Sequence, residues 1–376
     1  MVPRSAVLFL SVVLISCSAT QSNGEPVTGI SAELIDGPRL SAPRATHAMV
    51  RAADGSILAI GGCVVDGCEA GVASGTVDVF SADGRTLVRT GQLLARRVNP
   101  EAVALSDGRV LIVGGWVGRL VSATTEIFDP ATGKSVAGPE MMGPRNAATV
   151  TLLAAGRVLI AGGYDGRRLR ADAEIFDPAT LRMIPVGALR EARSGATATL
   201  LSNGQVLVVG GGNAVGSGRF TLASAELYDP VAGTFAPTGA LEQRRYKHGA
   251  VMLASGDVLI VGGSDERDYG GKLRSVERYD VKRGRFVDAG SLAVPRFKLT
   301  GGLIVLDERR ILVAAGDERP EVFDVSTRTG TLLDVSLDGQ WNYLTALPLN
   351  GSTAFLAGGY REGRIELTDR SWIISL

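Results

Sequence analysis

Arginine recurs along this 376-residue chain at a spacing that could do chemistry. Arg44, Arg97, Arg145, Arg193 and Arg245 each stand 17 residues before a Gly-Gly pair, and Arg296 holds the same place in a sixth segment, displaced by two residues. Each is followed by a recurrent acid: Asp78, Glu126, Glu174, Glu226, Glu277 and Glu321. A ring of guanidinium groups could grip carboxylates through bidentate contacts. One arginine matched to one acid per segment is also what a repeated internal salt bridge would give. A seventh segment breaks the rule. There Trp341 stands at the arginine spacing, so Glu366 has no repeat partner. An indole beside a free carboxylate, with Tyr343 and Tyr360 close in sequence, makes a candidate ligand corner in which Trp stacks and the acid orients. A degenerate terminal repeat is the alternative reading.

Other reactive residues are few. The chain has two histidines, His47 and His248, each three residues after its arginine, and three cysteines. Imidazole chemistry near neutral pH is the only catalytic role they suggest. No nucleophile elbow, phosphate loop or zinc signature is present, so no catalytic residue, metal or cofactor is expected. Cys63 and Cys68 enclose four residues, and in an exported protein such a pair is expected to form a disulfide.

The first 17 residues resemble an export signal: Arg4 gives a basic start and Ala6 to Ile15 an apolar stretch too short to span a bilayer. Leu14-Ile15-Ser16-Cys17 resembles a bacterial lipobox, which makes Cys17 the expected lipidation site. Residues 18–29 read as a flexible tether and 30–376 as the folded domain. The expected location is the cell envelope, facing periplasm or exterior, with the membrane touched only through the lipid. Lys plus Arg equal Asp plus Glu at 39 each, so no global field favours nucleic acid.

The elements that must position these residues are short strands. Gly-Gly pairs at 61, 114, 162, 210, 262 and 358, with Ala315-Gly316 as a degraded copy, follow apolar runs such as Arg109 to Val113. Asp54-Gly55, Asp107-Gly108, Asn203-Gly204 and Asn350-Gly351 precede those runs, as tight hairpin turns do. A third strand repeats as Glu126-Ile127-Phe128-Asp129, Glu174 to Asp177, Glu226 to Asp229, Glu277 to Asp280 and Glu321 to Asp324, with Glu366 to Asp369 as the last, divergent copy. A fourth, outer strand follows each.

A period near fifty residues with Gly-Gly after an apolar strand resembles the kelch repeat. The resemblance covers residues 30–376 and implies an all-β, seven-bladed kelch-type β-propeller with four antiparallel strands per blade. Outer strands here lack the usual kelch Trp, a form similar to bacterial kelch-like proteins and the central domain of galactose-oxidase-like proteins. In kelch-like sequences R-x-x-H is a common repeat feature, which gives His47 and His248 a structural alternative. Gly37 to Leu40 copies the outer-strand ending seen elsewhere, so residues 31–40 are expected to close blade seven, with Trp372 to Leu376 as the competitor.

In such a ring the variable loops share one face, and loops on a rigid scaffold are where function concentrates. The expected function is therefore a lipid-anchored binding module that presents this face to an envelope protein or glycan. The alternatives are an enzyme resembling kelch-type sialic acid epimerases, which need Glu and Arg at the channel mouth, and a purely structural component. Galactose-oxidase-like copper chemistry, which requires Tyr and His ligands with a Tyr–Cys crosslink, is not expected from two histidines and Cys63 and Cys68.

Overall fold

A computed structural model describes residues 29–66, 72–215, 218–361 and 366–376. The export segment, Cys17, all of the expected tether before Gly29, and Cys68 lie outside these residues. Within them the fold is all-β, with one short 3-10 turn at Asp268–Gly271.

Every segment but the last forms a four-strand meander with its strands in chain order. In the second, Glu101–Ala104 pairs with Val110–Val113, which pairs with Thr125–Asp129, which pairs with Lys134–Ala137, all antiparallel. The second strand is apolar at every position and wholly buried, since it is covered on both faces. The outer strand is mostly exposed. Turn chemistry fixes the hairpin: the Asp107 carboxylate accepts the Arg109 backbone N–H at 3.0 Å, and Gly108 takes a positive φ of 90°.

Three segments form separate four-stranded sheets, and four more are joined in pairs into two eight-stranded sheets. Each join is a single parallel pair between outer strands, Lys134 with Gln92 and Ser291 with Thr329. The first strands touch in a closed cycle: Ala48–Arg51, Glu101–Ala104, Thr149–Leu152, Thr197–Leu200, Gly249–Met252, Leu303–Val305, Thr345–Asn350, and back to Ala48–Arg51. Hydrophobic cores fill the wedges between neighbouring sheets. Ile57, Ala59 and Phe80 of the first sheet, for example, pack on Phe355, Ala357 and Ile373 of the last.

The last sheet corrects one expectation. Its third strand is Ser371–Ser375, not Glu366 to Asp369. The apolar run Trp372-Ile373-Ile374 is what can be buried against Ala354–Leu356, while Glu366 stays exposed. Glu33–Asp36 then adds as the outer strand, antiparallel to Ser371–Ser375. The N-terminal and C-terminal segments therefore both belong to this sheet, side by side rather than as rivals for one place.

Candidate functional site

The recurrent arginines are structural. Arg97 donates from Nη1 to the Gly114 carbonyl at 2.9 Å and from Nη2 to Glu126 at 2.9 Å. Glu126 also accepts the backbone N–H groups of Leu94 and Ala95 at 2.7 and 3.0 Å. Arg44–Asp78, Arg145–Glu174, Arg193–Glu226, Arg245–Glu277 and Arg296–Glu321 repeat the pair, all essentially fully buried. Buried ion pairs persist where added hydrogen bonds satisfy both partners, as here. This corrects the reading of Arg44, Arg97, Arg145, Arg193, Arg245 and Arg296 as ligand-binding residues: no guanidinium reaches solvent.

The 17-residue spacing has a geometric cause. The guanidinium caps the carbonyl of the first glycine in its own segment, while the second glycine's N–H donates to the arginine carbonyl of the next. Gly62→Arg97, Gly115→Arg145, Gly163→Arg193, Gly211→Arg245 and Gly263→Arg296 all measure 2.8–3.0 Å. Gly316→Trp341 at 3.0 Å and Gly359→Arg44 at 2.9 Å complete the circle. A Cβ at Gly114, whose φ is 58°, would lie 2.2 Å from the Arg145 oxygen, so only glycine permits this approach.

The expected corner around Trp341 does not assemble. Trp341 is buried, donates its indole N–H to the Leu337 carbonyl at 2.9 Å and packs on Trp372 at 6.0 Å between ring centroids. With Trp at the arginine position, no guanidinium stands there to cap the carbonyl of the segment's first glycine, and the indole packs into the core instead. Glu366 is exposed, 3.8 Å from Arg361. Tyr343 and Tyr360 do meet, at 6.0 Å, but around lysine rather than Trp341.

That lysine is Lys298. It is buried, and its ammonium donates to the hydroxyls of both Tyr269 and Tyr360. It also lies over the rings of Tyr269, Tyr360, Phe297 and Tyr343 at 4.0, 5.1, 5.1 and 5.7 Å. Burial, and then the hydrogen bond with Tyr269, hold the Tyr360 phenol far above its ordinary pKa, so it stays protonated. Lys247 stands beside this cluster, over Tyr246, Phe297 and Tyr343 at 5.2, 5.5 and 5.8 Å. Lys247, Lys298, Tyr343 and Asp268 all have left-handed backbone, with φ of 49°, 60°, 53° and 55°. The same left-handed backbone recurs two residues after the arginine in other segments, at Thr46, Asn99 and Ala147, so for Lys247, Lys298 and Tyr343 it belongs to the repeat.

A cavity of about 590 Å³ opens where the first strands converge, a volume suited to a small ligand. Its wall is formed of two tiers. Two residues after the arginine position come Thr46, Asn99, Ala147, Gly195, Lys247 and Tyr343, and four residues after it come Ala48, Glu101, Thr149, Thr197, Gly249 and Thr345. Lys247 and Glu101 are the only charged side chains in the lining. Glu101 is half-buried in the cavity lining, and the desolvation of that setting pushes its carboxyl up to about 8. His47 and His248 also line the cavity, each with Nε2 on a threonine hydroxyl, Thr345 at 2.7 Å and Thr197 at 2.8 Å. Burial, then the neighbouring Arg44 or Arg245 charge, depresses both rings to about 3, so both are neutral.

Glu101, Lys247, Lys298 and Tyr269 were not singled out from sequence. The available signal was departure from the repeat: Glu101 where other segments carry Ala, Thr or Gly, and Lys247 and Lys298 where they carry Thr, Asn, Ala, Gly or Tyr.

Cys63 is buried, forming isolated strand bridges to Ala45 and Ala73. Its expected partner Cys68 lies outside the described residues.

Residues 102–142 match the family model of the Kelch motif. No curated protein matches the chain. Among solved structures, a fungal alcohol oxidase of the AA5 family in complex with copper is similar at 17% identity and a TM-score of 0.67, over 92% of this chain and 76% of its own. The expectation of a binding module on the loop-rich face is corrected: the buried Trp341 and arginines remove the side chains on which it stood, and the solved chain of similar shape is an oxidase. The motif, the closed cycle of sheets and this likeness together identify the fold as a kelch-type β-propeller.

Proposed function

We propose that the protein is an enzyme that moves a proton on a small polar substrate held in the central cavity, with Glu101 as the acid–base group. One observation carries this reading. Glu101 is the only carboxyl in the cavity lining, and burial alone raises its pKa there. Asp78, Glu126, Glu174, Glu226, Glu277 and Glu321 each hold an arginine and at least one backbone N–H, so this carboxyl is distinct in kind. A carboxyl lifted to about 8 is largely protonated at neutral pH, ready to donate to a departing or developing oxyanion, and its conjugate base is strong enough to take the proton back.

The likeness to a copper enzyme raises the question of copper. Among the described residues no three of His, Cys, Asp and Glu gather in a metal-binding cluster. His47 and His248 each commit Nε2 to a threonine, and the tyrosine hydroxyls at Lys298 face an ammonium rather than imidazoles. These residues do not fit a copper centre, and no step is routed through one.

We further infer that the ring counts seven blades of four strands, on the support of the closed cycle of first strands. Cys63 and Cys68 are proposed to form a disulfide. Export and lipid anchoring at Cys17 are proposed from the Leu14 to Cys17 string alone.

The test is a turnover screen of the folded domain against small hydroxy and carbonyl compounds in D2O, followed by NMR. The expected result is product or C–H exchange with the native protein and loss of both in Glu101→Gln at unchanged melting temperature. Equal turnover by Glu101→Gln contradicts the assignment.

A further inference from the structure

We propose that the substrate class is a small hydroxycarboxylate, its carboxylate held by Lys247 and its reacting carbon turned to Glu101 across the cavity; this rests on the acid–base reading of Glu101.

Charge in the cavity is the first argument. Lys247 supplies the only cation of the lining, and its ammonium meets aromatic faces rather than a carboxylate. The two histidines add no charge. Glu101 is the only carboxyl of the lining, so the Lys247 ammonium is the charge on this side of the cavity that a ligand anion meets.

Placement is the second. Glu101 opens the strand Glu101–Ala104, and Lys247 leads into Gly249–Met252. In the closed cycle these strands are three places apart, so acid and cation approach from opposite sides of the cavity. A ligand anchored by its carboxylate at Lys247 extends toward Glu101. One ammonium balances one charge, which favours a monoanion over a phosphate dianion. In the same tier Asn99 donates to the Asn146 side chain at 3.0 Å, and its own amide oxygen is the group that suits a hydroxyl on the ligand.

The rigid aromatic wall explains why lysine serves here. Its ammonium lies over Tyr246, Phe297 and Tyr343, and those rings fix where the charge stands.

Calorimetric titration with matched pairs tests this: lactate against 1,2-propanediol, glycerate against glycerol, mandelate against 1-phenyl-1,2-ethanediol, with inorganic phosphate as a dianion. The expected result is binding of at least one carboxylate, weakened about 10- to 100-fold in Lys247→Met and restored in part by Lys247→Arg, with the neutral partners and phosphate far weaker. Glu101→Gln should retain this binding while losing turnover, which separates the two readings. If Glu101→Gln and the native protein both bind but neither turns over, the acid–base reading fails and the anion site stands. Binding unchanged in Lys247→Met, preference for the neutral partners, or no binding by any carboxylate overturns the proposal.

Discussion

The Arg145 guanidinium lies 2.9 Å from the Glu174 carboxylate, and neither side chain is exposed. The same guanidinium donates to the Gly162 and Asp172 carbonyls at 2.8 and 3.0 Å, so it holds one inner-strand end, one glycine pair and one third strand together. Arg145→Met leaves a buried carboxylate without its cation and is expected to cost about 3–5 kcal/mol in urea unfolding. Adding Glu174→Gln should recover part of that loss, because the uncompensated charge is gone. Occupancy of the central cavity should not change in either variant.

The two histidines predict how stability varies with pH. Each ring is held near 3 in the folded chain against 6.5 in the unfolded one, by burial first and then by the arginine charge. Depressed pKa values mean that the unfolded chain binds more protons, so the stability is fully present above 6.5 and is lost as pH falls from about 6.5 toward 3. Each histidine contributes a slope of about 1.4 kcal/mol per pH unit within that window. His248→Gln should halve the histidine part of the slope between pH 6.5 and 5, measured as urea midpoints. An unchanged slope would mean that the ring is protonated in the folded state.

Trp341 is expected to matter for stability rather than for recognition. Its indole packs on Trp372 and lies under Arg361, 5.2 Å from the ring centroid. Trp341→Ala should destabilise by about 3–5 kcal/mol, as large-to-small changes of buried aromatics do. Carboxylate binding measured on the surviving folded fraction should keep its native affinity.

Much of the ring was legible because the repeat writes the same physics many times. Asp107-Gly108 marked its turn, Arg97 and Glu126 marked their ion pair, and Gly37 to Leu40 marked the strand that ends up beside Ser371–Ser375. Reading by repeat fails where one copy departs. Glu366 was taken for a third-strand acid by its rank in the series, yet Trp372 to Ile374 outcompete it for the buried place. Glu101 and Lys247 are ordinary residues in their own segments. They become a site because first strands separated by more than a hundred residues converge on one axis, and no local pattern records that convergence.

Closure by Glu33–Asp36 yields a further expectation. Without it, Ser371–Ser375 presents an unpaired edge with buried Trp372 and Ile374 behind it. Removing residues 29–40 should lower the melting temperature and promote self-association, read by light scattering.

The central claim concerns the protonation of one carboxyl, and a selective 13C-glutamate NMR titration of native protein and Glu101→Gln measures it directly. The account predicts one side-chain carboxyl resonance titrating near 8, absent from Glu101→Gln. A native spectrum in which every glutamate titrates within the ordinary carboxylate range, with none lost near 8 in Glu101→Gln, would contradict it.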